Sequence, residues 1–289
     1  MLETLARPPT RERPALRYHG GKFMIAPWIL EHAPDHEAYT EAFSGAASVL
    51  LRKPRSFIEV INDRDEDLVN FFRVLRDPEG AAELERQLRL TPYARREFER
   101  AYEPAEDPVE RARRLVVRSF MGFGSAAANP EHMTGFRPSS PNRTSTPAWD
   151  FARYPDALPS YCRRLQGVLI ECWDAADVLR DYDGRDTLHY VDPPYPQSTR
   201  GFRLRNHAYR YEMDDDGHRA LADVLKSLKG YVVLSGYACP LYDEELFPEW
   251  FRVERRALAD GGRERIEVLW LNNRAREALE GRVRQRDLF

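Results

Sequence analysis

Short apolar runs alternate with amphipathic stretches along most of the chain. Glu37–Phe43, Ser56–Ile61, Gly167–Cys172 and Thr187–Val191 read as buried strands, each ending at a polar or small-residue junction. The first of these enters the loop Ser44-Gly45-Ala46-Ala47-Ser48. The second ends in Asn62-Asp63 and feeds an amphipathic helix from Asp65 to Leu75. The third ends in Trp173-Asp174 ahead of a helical pattern over Ala175–Leu179, and the fourth runs into two consecutive prolines. A further helix is predicted over Asp214–Leu228, where Leu221, Val224, Leu225 and Leu228 share one face. Tyr231–Leu234 reads as another strand, and Trp250–Arg256 with Arg265–Leu271 as a hairpin around Asp260-Gly261-Gly262. Strands alternating with helices predict an α/β fold with a mostly parallel sheet and an antiparallel edge. Its ligand crevice lies where the carboxyl ends of the strands collect their polar residues.

Between the second and third of these strands the pattern changes. Residues 77–119 read as helical and carry Arg95, Arg96, Arg100, Arg111, Arg113, Arg114 and Arg118 among interleaved acids. Residues 121–150 are rich in Gly, Ser, Asn, Pro and Thr, with Phe123, Phe136 and Trp149 scattered through them. A loop of that length inside a compact domain either has a task or is disordered. The composition suits both a plain helical subdomain and an insert that reads nucleic acid. The expected organisation is a discontinuous domain of residues 15–76 and 166–275, an insert of residues 77–165, and flexible termini at 1–14 and 276–289.

Composition narrows the class. At 289 residues, 42% hydrophobic and 31% charged, the chain resembles a soluble globular protein able to bury a full core. No apolar stretch is long enough to span a bilayer, and no apolar run follows the N-terminal arginines Arg7, Arg11 and Arg13. A cytoplasmic protein without a membrane partner is therefore expected. The cysteines, Cys162, Cys172 and Cys239, are odd in number and lack ligand spacing, so neither a disulfide frame nor a metal site is expected. A net charge of −3 argues against a nucleic-acid coat protein but leaves room for a local basic groove.

The candidate chemistry gathers at the strand ends. Asp192-Pro193-Pro194-Tyr195 places a carboxylate, a proline carbonyl and an aromatic ring on a stiffened backbone. Such a set can grip a flat ring bearing an exocyclic amino group: Asp192 and the Pro193 carbonyl accept its hydrogens and Tyr195 stacks. A strand closed by a proline turn would read the same way. Tyr18-His19-Gly20-Gly21-Lys22 before an apolar helix with Ile25, Trp28, Ile29 and Leu30 suits an anion, or is a turn with a surface lysine. The loop after Glu41 lacks G-x-G-x-x-G and G-K-[ST], which disfavours pyrophosphate. Asp63 can hold the hydroxyls of a ribose, and Asp174 with the Ala175 N–H can read an adenine, or each is a helix cap. Together they suit a ligand with adenine, ribose and a carboxylate tail but no phosphates, such as S-adenosyl-L-methionine.

In motif content and order the chain from Tyr18 to about Asn273 resembles the Dam-type DNA N6-adenine methyltransferases (D12 class, alpha group). Tyr18–Lys22 resembles the N-terminal cofactor motif, Glu41-Ala42-Phe43-Ser44-Gly45-Ala46-Ala47-Ser48 the E-P-F-x-G-x-G-S pattern, and Asp192–Tyr195 the catalytic motif. Asn62-Asp63 matches the ribose position and Asp174 the D-F pair at the cofactor adenine. Asp216–Leu221 echoes the D-H-x-x-L helix with one residue inserted, Ser235 matches the strand-Ser element, and Glu267–Asn272 the closing E-x-L-x-x-N strand. Ala42 stands for the family proline, Ala47 for a glycine and Ala175 for an aromatic, changes that bear on the cofactor loop and on stacking against the adenine.

The resemblance implies a Rossmann-like S-adenosylmethionine-dependent methyltransferase sheet carrying a mainly helical target-recognition insert. It implies methyl transfer to the N6 amino group of an adenine flipped out of double-stranded DNA, with S-adenosyl-L-homocysteine as product and no metal. Asp192, Pro193 and Tyr195 are then catalytic, and Tyr18, Gly21, Lys22, Glu41, Phe43, Gly45, Asp63, Asp174, Ala175 and Asp192 hold the cofactor. Candidate DNA contacts are Arg118, Asn129, Arg137 and Arg143 in the insert. Arg200, Arg203 and Arg205 join them from the basic segment Pro196–Tyr211, which also contains Arg210. The enzyme would act as a monomer or weak dimer, with or without a cognate restriction endonuclease. The alternatives are the same fold acting on cytosine N4 or RNA adenine, and a catalytically silent DNA-binding homologue.

Overall fold

Parallel strands joined by helical crossovers form the centre of the molecule, as a computed structural model describes it for residues 13–124, 128–131, 133–138, 146–199, 209–258 and 264–286. The strands are β1 (Ala38–Glu41), β2 (Ile58–Asn62), β3 (Val168–Glu171), β4 (Thr187–Val191), β5 (Tyr231–Tyr237), β6 (Phe251–Leu258) and β7 (Glu264–Leu271). They make one seven-stranded sheet in the order β3-β2-β1-β4-β5-β7-β6. The first five are parallel, and β7 runs antiparallel to both β5 and β6. Strand order reverses between β1 and β4, which opens a crevice beyond their carboxyl ends. Every residue of β4 is buried, as expected of a central strand covered on both faces.

Helices begin where the sequence supplies caps. Asp65, Asp174 and Asp214 accept backbone N–H bonds at the starts of α2 (Glu66–Arg76), α8 (Ala175–Asp181) and α9 (Asp215–Ser227). The insert uses cap-proline pairs. Asp77-Pro78, Asp107-Pro108 and Thr146-Pro147 start α3 (Pro78–Leu90), α5 (Pro108–Met121) and α6 (Pro147–Ala152). With α4 (Arg95–Arg100) and α7 (Leu158–Leu165) they make the insert mainly helical. Among the described residues its core is shared: Phe98, Leu115, Val116 and Tyr154 belong to the same buried cluster as Phe71, Phe72 and Leu75 of α2. Glu59 on β2 ties it down further, taking both Arg164 of α7 (2.6 and 2.8 Å) and Lys53 (2.8 Å), which hold its carboxyl below the usual range.

Three sequence expectations change. The stretch 121–150 is not all loop: Met121–Phe123 and Gly135–Arg137 pair as a short antiparallel ribbon, and α6 follows. Arg13 and Pro14, expected to fray, belong to a segment held against the insert, where Tyr161 donates to the Arg13 carbonyl and Tyr154 to that of Ala15. Residues 1–12 lie outside the described residues. The expected flexible tail from 276 is helical instead, in α10 (Asn273–Arg286), because Asn272 caps it and Ala275 is buried. Asn272 also bonds Gly230, just before β5, and Val232 within it, so the helix start is anchored to the sheet. No helix among the described residues is long and apolar enough to cross a membrane.

Candidate active site

The loop after β1 is shaped by residues from three strand ends. Asn62, last in β2, donates to the Ala42 and Trp173 carbonyls and accepts from the Trp173 N–H, joining the ends of β1, β2 and β3. Asp63 follows it and accepts from the N–H groups of Gly45 (2.9 Å) and Asp65 (2.9 Å). Gly45 has φ +48°, and a Cβ there would come 3.1 Å from Cδ1 of Tyr18. Gly45→Ala is therefore expected to lower stability by about 1–2 kcal/mol in denaturant unfolding, through left-handed strain and displacement of Tyr18.

These elements enclose a cavity of about 610 Å³ at the β1/β4 crevice, within the range of small-molecule sites. Tyr18, Gly21, Lys22, Glu41, Phe43 and Gly45 line it, together with Asp63, Asp174, Ala175 and Asp192. All the residues expected to hold a cofactor thus meet in one place. Burial raises Asp63 to about 6 and Glu41 from its ordinary 4.5 to about 8. An acid raised in this way keeps its proton in the folded state after the unfolded chain has lost it, so its contribution weakens stability as pH rises from about 4.5 to 8. Glu41→Gln should therefore gain stability relative to the parent as pH rises through that window, read from unfolding free energies at several pH values.

Sequence reasoning missed several wall residues. Tyr209, Arg210, Tyr211 and Met213 form a strap along the cavity, and Tyr209 meets His19 edge-on at 5.1 Å. Arg210, from the basic segment Pro196–Tyr211, pairs with Asp65 (3.0 Å) and Glu131 (3.5 Å), joining the α2 cap to the insert. Ser48 is buried on the wall, and its Oγ has no hydrogen-bond partner among the described residues.

At the end of β4, Asp192 has both oxygens engaged. Ser235 Oγ donates to Oδ1 at 2.8 Å, and Lys22 Nζ pairs with Oδ2 at 2.8 Å. Lys22 is 4% exposed, donates also to the Gly20 carbonyl, and lies 4.8 Å from the centroid of the Tyr195 ring. Tyr195 is not open to solvent as a free stacking platform. It is buried, its hydroxyl donates to Glu267 (3.1 Å), and Tyr237 packs edge-on at 4.6 Å. Pro193 is buried, and Pro194 faces the cavity. Asp174 caps α8 and lies 3.8 Å from Arg64.

The expected DNA contacts fare differently. Arg118, expected among the DNA contacts, is instead buried, bonding the Ala101 and Ala128 carbonyls and pairing with Asp67 (3.2 Å), so its guanidinium is engaged inside the protein. Asn129 is largely buried, and its side chain accepts from the Glu131 N–H as part of a turn. Arg137 contributes its backbone to the ribbon, and its carbonyl accepts from Tyr93. Arg143, Arg200, Arg203 and Arg205 lie outside the described residues. The insert also presents apolar side chains: Phe123 in the ribbon is 70% exposed, with Met133 and Trp149 also exposed. Their signal in sequence was the scatter of aromatics through a polar stretch.

The fold and the site define an α/β protein with a small-molecule cavity at the switch point of its sheet, walled by buried acids and by Asp192. The model of the D12 class N6 adenine-specific DNA methyltransferases matches residues 18–260, and the chain belongs to that family. It is similar to proteins named DNA adenine methylase in Salmonella typhi (23% identical over 275 residues, 89% of this chain and 93% of that protein) and Escherichia coli K12 (24% over 281 residues, 90% and 94%). A third, from Haemophilus influenzae, is 25% identical over 236 residues, 77% of each chain. The chain is thus a DNA adenine methyltransferase.

Proposed function

We propose that the methyl donor is S-adenosyl-L-methionine and that the acceptor is the N6 amino group of an adenine flipped out of double-stranded DNA, with Asp192 as the catalytic carboxylate. The observation that carries this reading is the position of Asp192, on the wall of a cavity lined by every predicted cofactor residue. The cavity fits such a donor. Ser48 Oγ is a buried polar group on its wall without a partner among the described residues, and the buried carboxyls of Glu41 and Asp63 gain most from a cationic ligand, which offsets their desolvation. When bound, the donor supplies an electrophilic methyl group.

The chain's own part is positioning. The amino nitrogen of adenine is a poor nucleophile because its lone pair is delocalised into the ring. Asp192 Oδ2 and the Pro193 carbonyl accept its hydrogens and direct the lone pair toward the cavity. Lys22 now holds Oδ2 and lies against the Tyr195 ring, so the incoming base must displace it from both. Lys22, Asp63 and Asp174 would hold the donor, and exposed Phe123 on the insert would meet the duplex from which the base is taken. Incubation with unmethylated genomic DNA and labelled donor, followed by mapping of modified bases, should give N6-methyladenine at a defined sequence. No N6-methyladenine above background would overturn the reading.

A further inference from the structure

Parallel pairing of β4 with β5 aligns Tyr190 with Val233 and Val191 with Leu234, so Asp192 comes level with Ser235 one step beyond the strand end. Tyr190 and Asp192, two residues apart, share one face of the sheet. Their polar groups join through Ser235: Tyr190 Oη lies 2.9 Å from Ser235 Oγ, which lies 2.8 Å from Asp192 Oδ1. Tyr190 and Ser235 are 2% and 1% exposed, so water does not compete.

We propose that Tyr190 and Ser235 form a positioning relay that sets the plane of the Asp192 carboxylate and leaves Oδ2 as the oxygen that takes the target amino group. Proton accounting fixes the direction. The carboxylate, as the anionic partner of Lys22, only accepts, so the Ser235 hydrogen goes to Oδ1. The competing acceptor, the Val191 carbonyl, is farther at 3.5 Å. Ser235 Oγ then accepts from Tyr190, whose buried hydroxyl has a use only through the serine. The terminal torsion of an aspartate is broad and roughly two-fold. Without the serine hydroxyl the carboxylate rotates and its productive orientation is diluted. The loss falls on the reaction step and not on the binding of donor or DNA.

The relay rests on Asp192 being the catalytic carboxylate, and the test separates the two ideas. Ser235→Ala should lower kcat by about 10²-fold with KM for donor and DNA unchanged, the scale expected of a misplaced catalytic group. It should also lower the melting temperature, because Tyr190 keeps a buried hydroxyl without its acceptor. Tyr190→Phe should lose less activity, since the Ser235–Asp192 bond survives. The double variant Tyr190→Phe/Ser235→Ala removes both partners, so its melting temperature should recover while its kcat stays at the Ser235→Ala level. Recovery of kcat together with stability would show a merely structural pair and overturn the relay, as would full kcat in Ser235→Ala. An active Asp192→Asn variant would instead overturn the reading of Asp192 itself.

Discussion

Asp192→Asn is expected to reduce methyl transfer at least about 10²–10³-fold while keeping the fold, with a melting temperature between those of the parent and the alanine variant because the buried Lys22 loses its counter-charge. The amide keeps the shape of the carboxylate, and its oxygen can still accept one bond, from Ser235 or Lys22. Its single oxygen cannot accept from Ser235 and from the flipped amino group together, and it lacks the charge that favours a more tetrahedral nitrogen. Asp192→Ala should be equally inactive and less stable. Lys22 Nζ, 4% exposed, would lose its partner at 2.8 Å and keep only the Gly20 carbonyl, the face of Tyr195 and the field of Glu267. Methyl incorporation, thermal unfolding and donor binding measured on both variants separate chemistry from packing. Activity of either variant near the parent level would remove Asp192 from the mechanism.

Arg118→Met is expected to destabilise the protein by about 3 kcal/mol, the lower end for breaking a buried ion pair. The guanidinium satisfies the Ala101 and Ala128 carbonyls and pairs with Asp67 at 3.2 Å, and burial lowers its own pKa. Asp67 keeps Arg111 at 2.9 Å, which is why the cost stays at that lower end. Folded protein should bind DNA with an unchanged dependence on salt, because no phosphate contact is lost. Urea unfolding and DNA titrations at several salt concentrations check both halves. A shallower salt slope with intact stability would return Arg118 to the DNA face.

The burial of Arg118 and the ion pairs of Arg210 have one physical origin. Periodicity shows that residues 108–121 are helical, but Arg118 lies among apolar neighbours that a single sequence cannot rank against its charged ones. Whether such an arginine points outward depends on an acceptor from elsewhere in the chain, here Asp67 of α2. Arg210 differs in position but not in kind, since its partners Asp65 and Glu131 are distant in sequence. By contrast α10 was visible in principle: Asn272 as a cap, followed by Ala, Arg, Glu and Leu, is a helix signal that the expectation of a frayed end overlooked.

The sequence by itself determined the alternation of strands and helices, the caps that start the helices, and the ordered motifs that mark the family. Each is local, written in side-chain period or in a few adjacent residues. The tertiary structure alone decided that Lys22, Ser235 and Asp192 share one set of hydrogen bonds, and that Tyr195 is buried against Glu267 and Tyr237. These contacts join residues far apart in the chain, and sheet order and register bring them together. Local pattern does not encode which strand pairs with which.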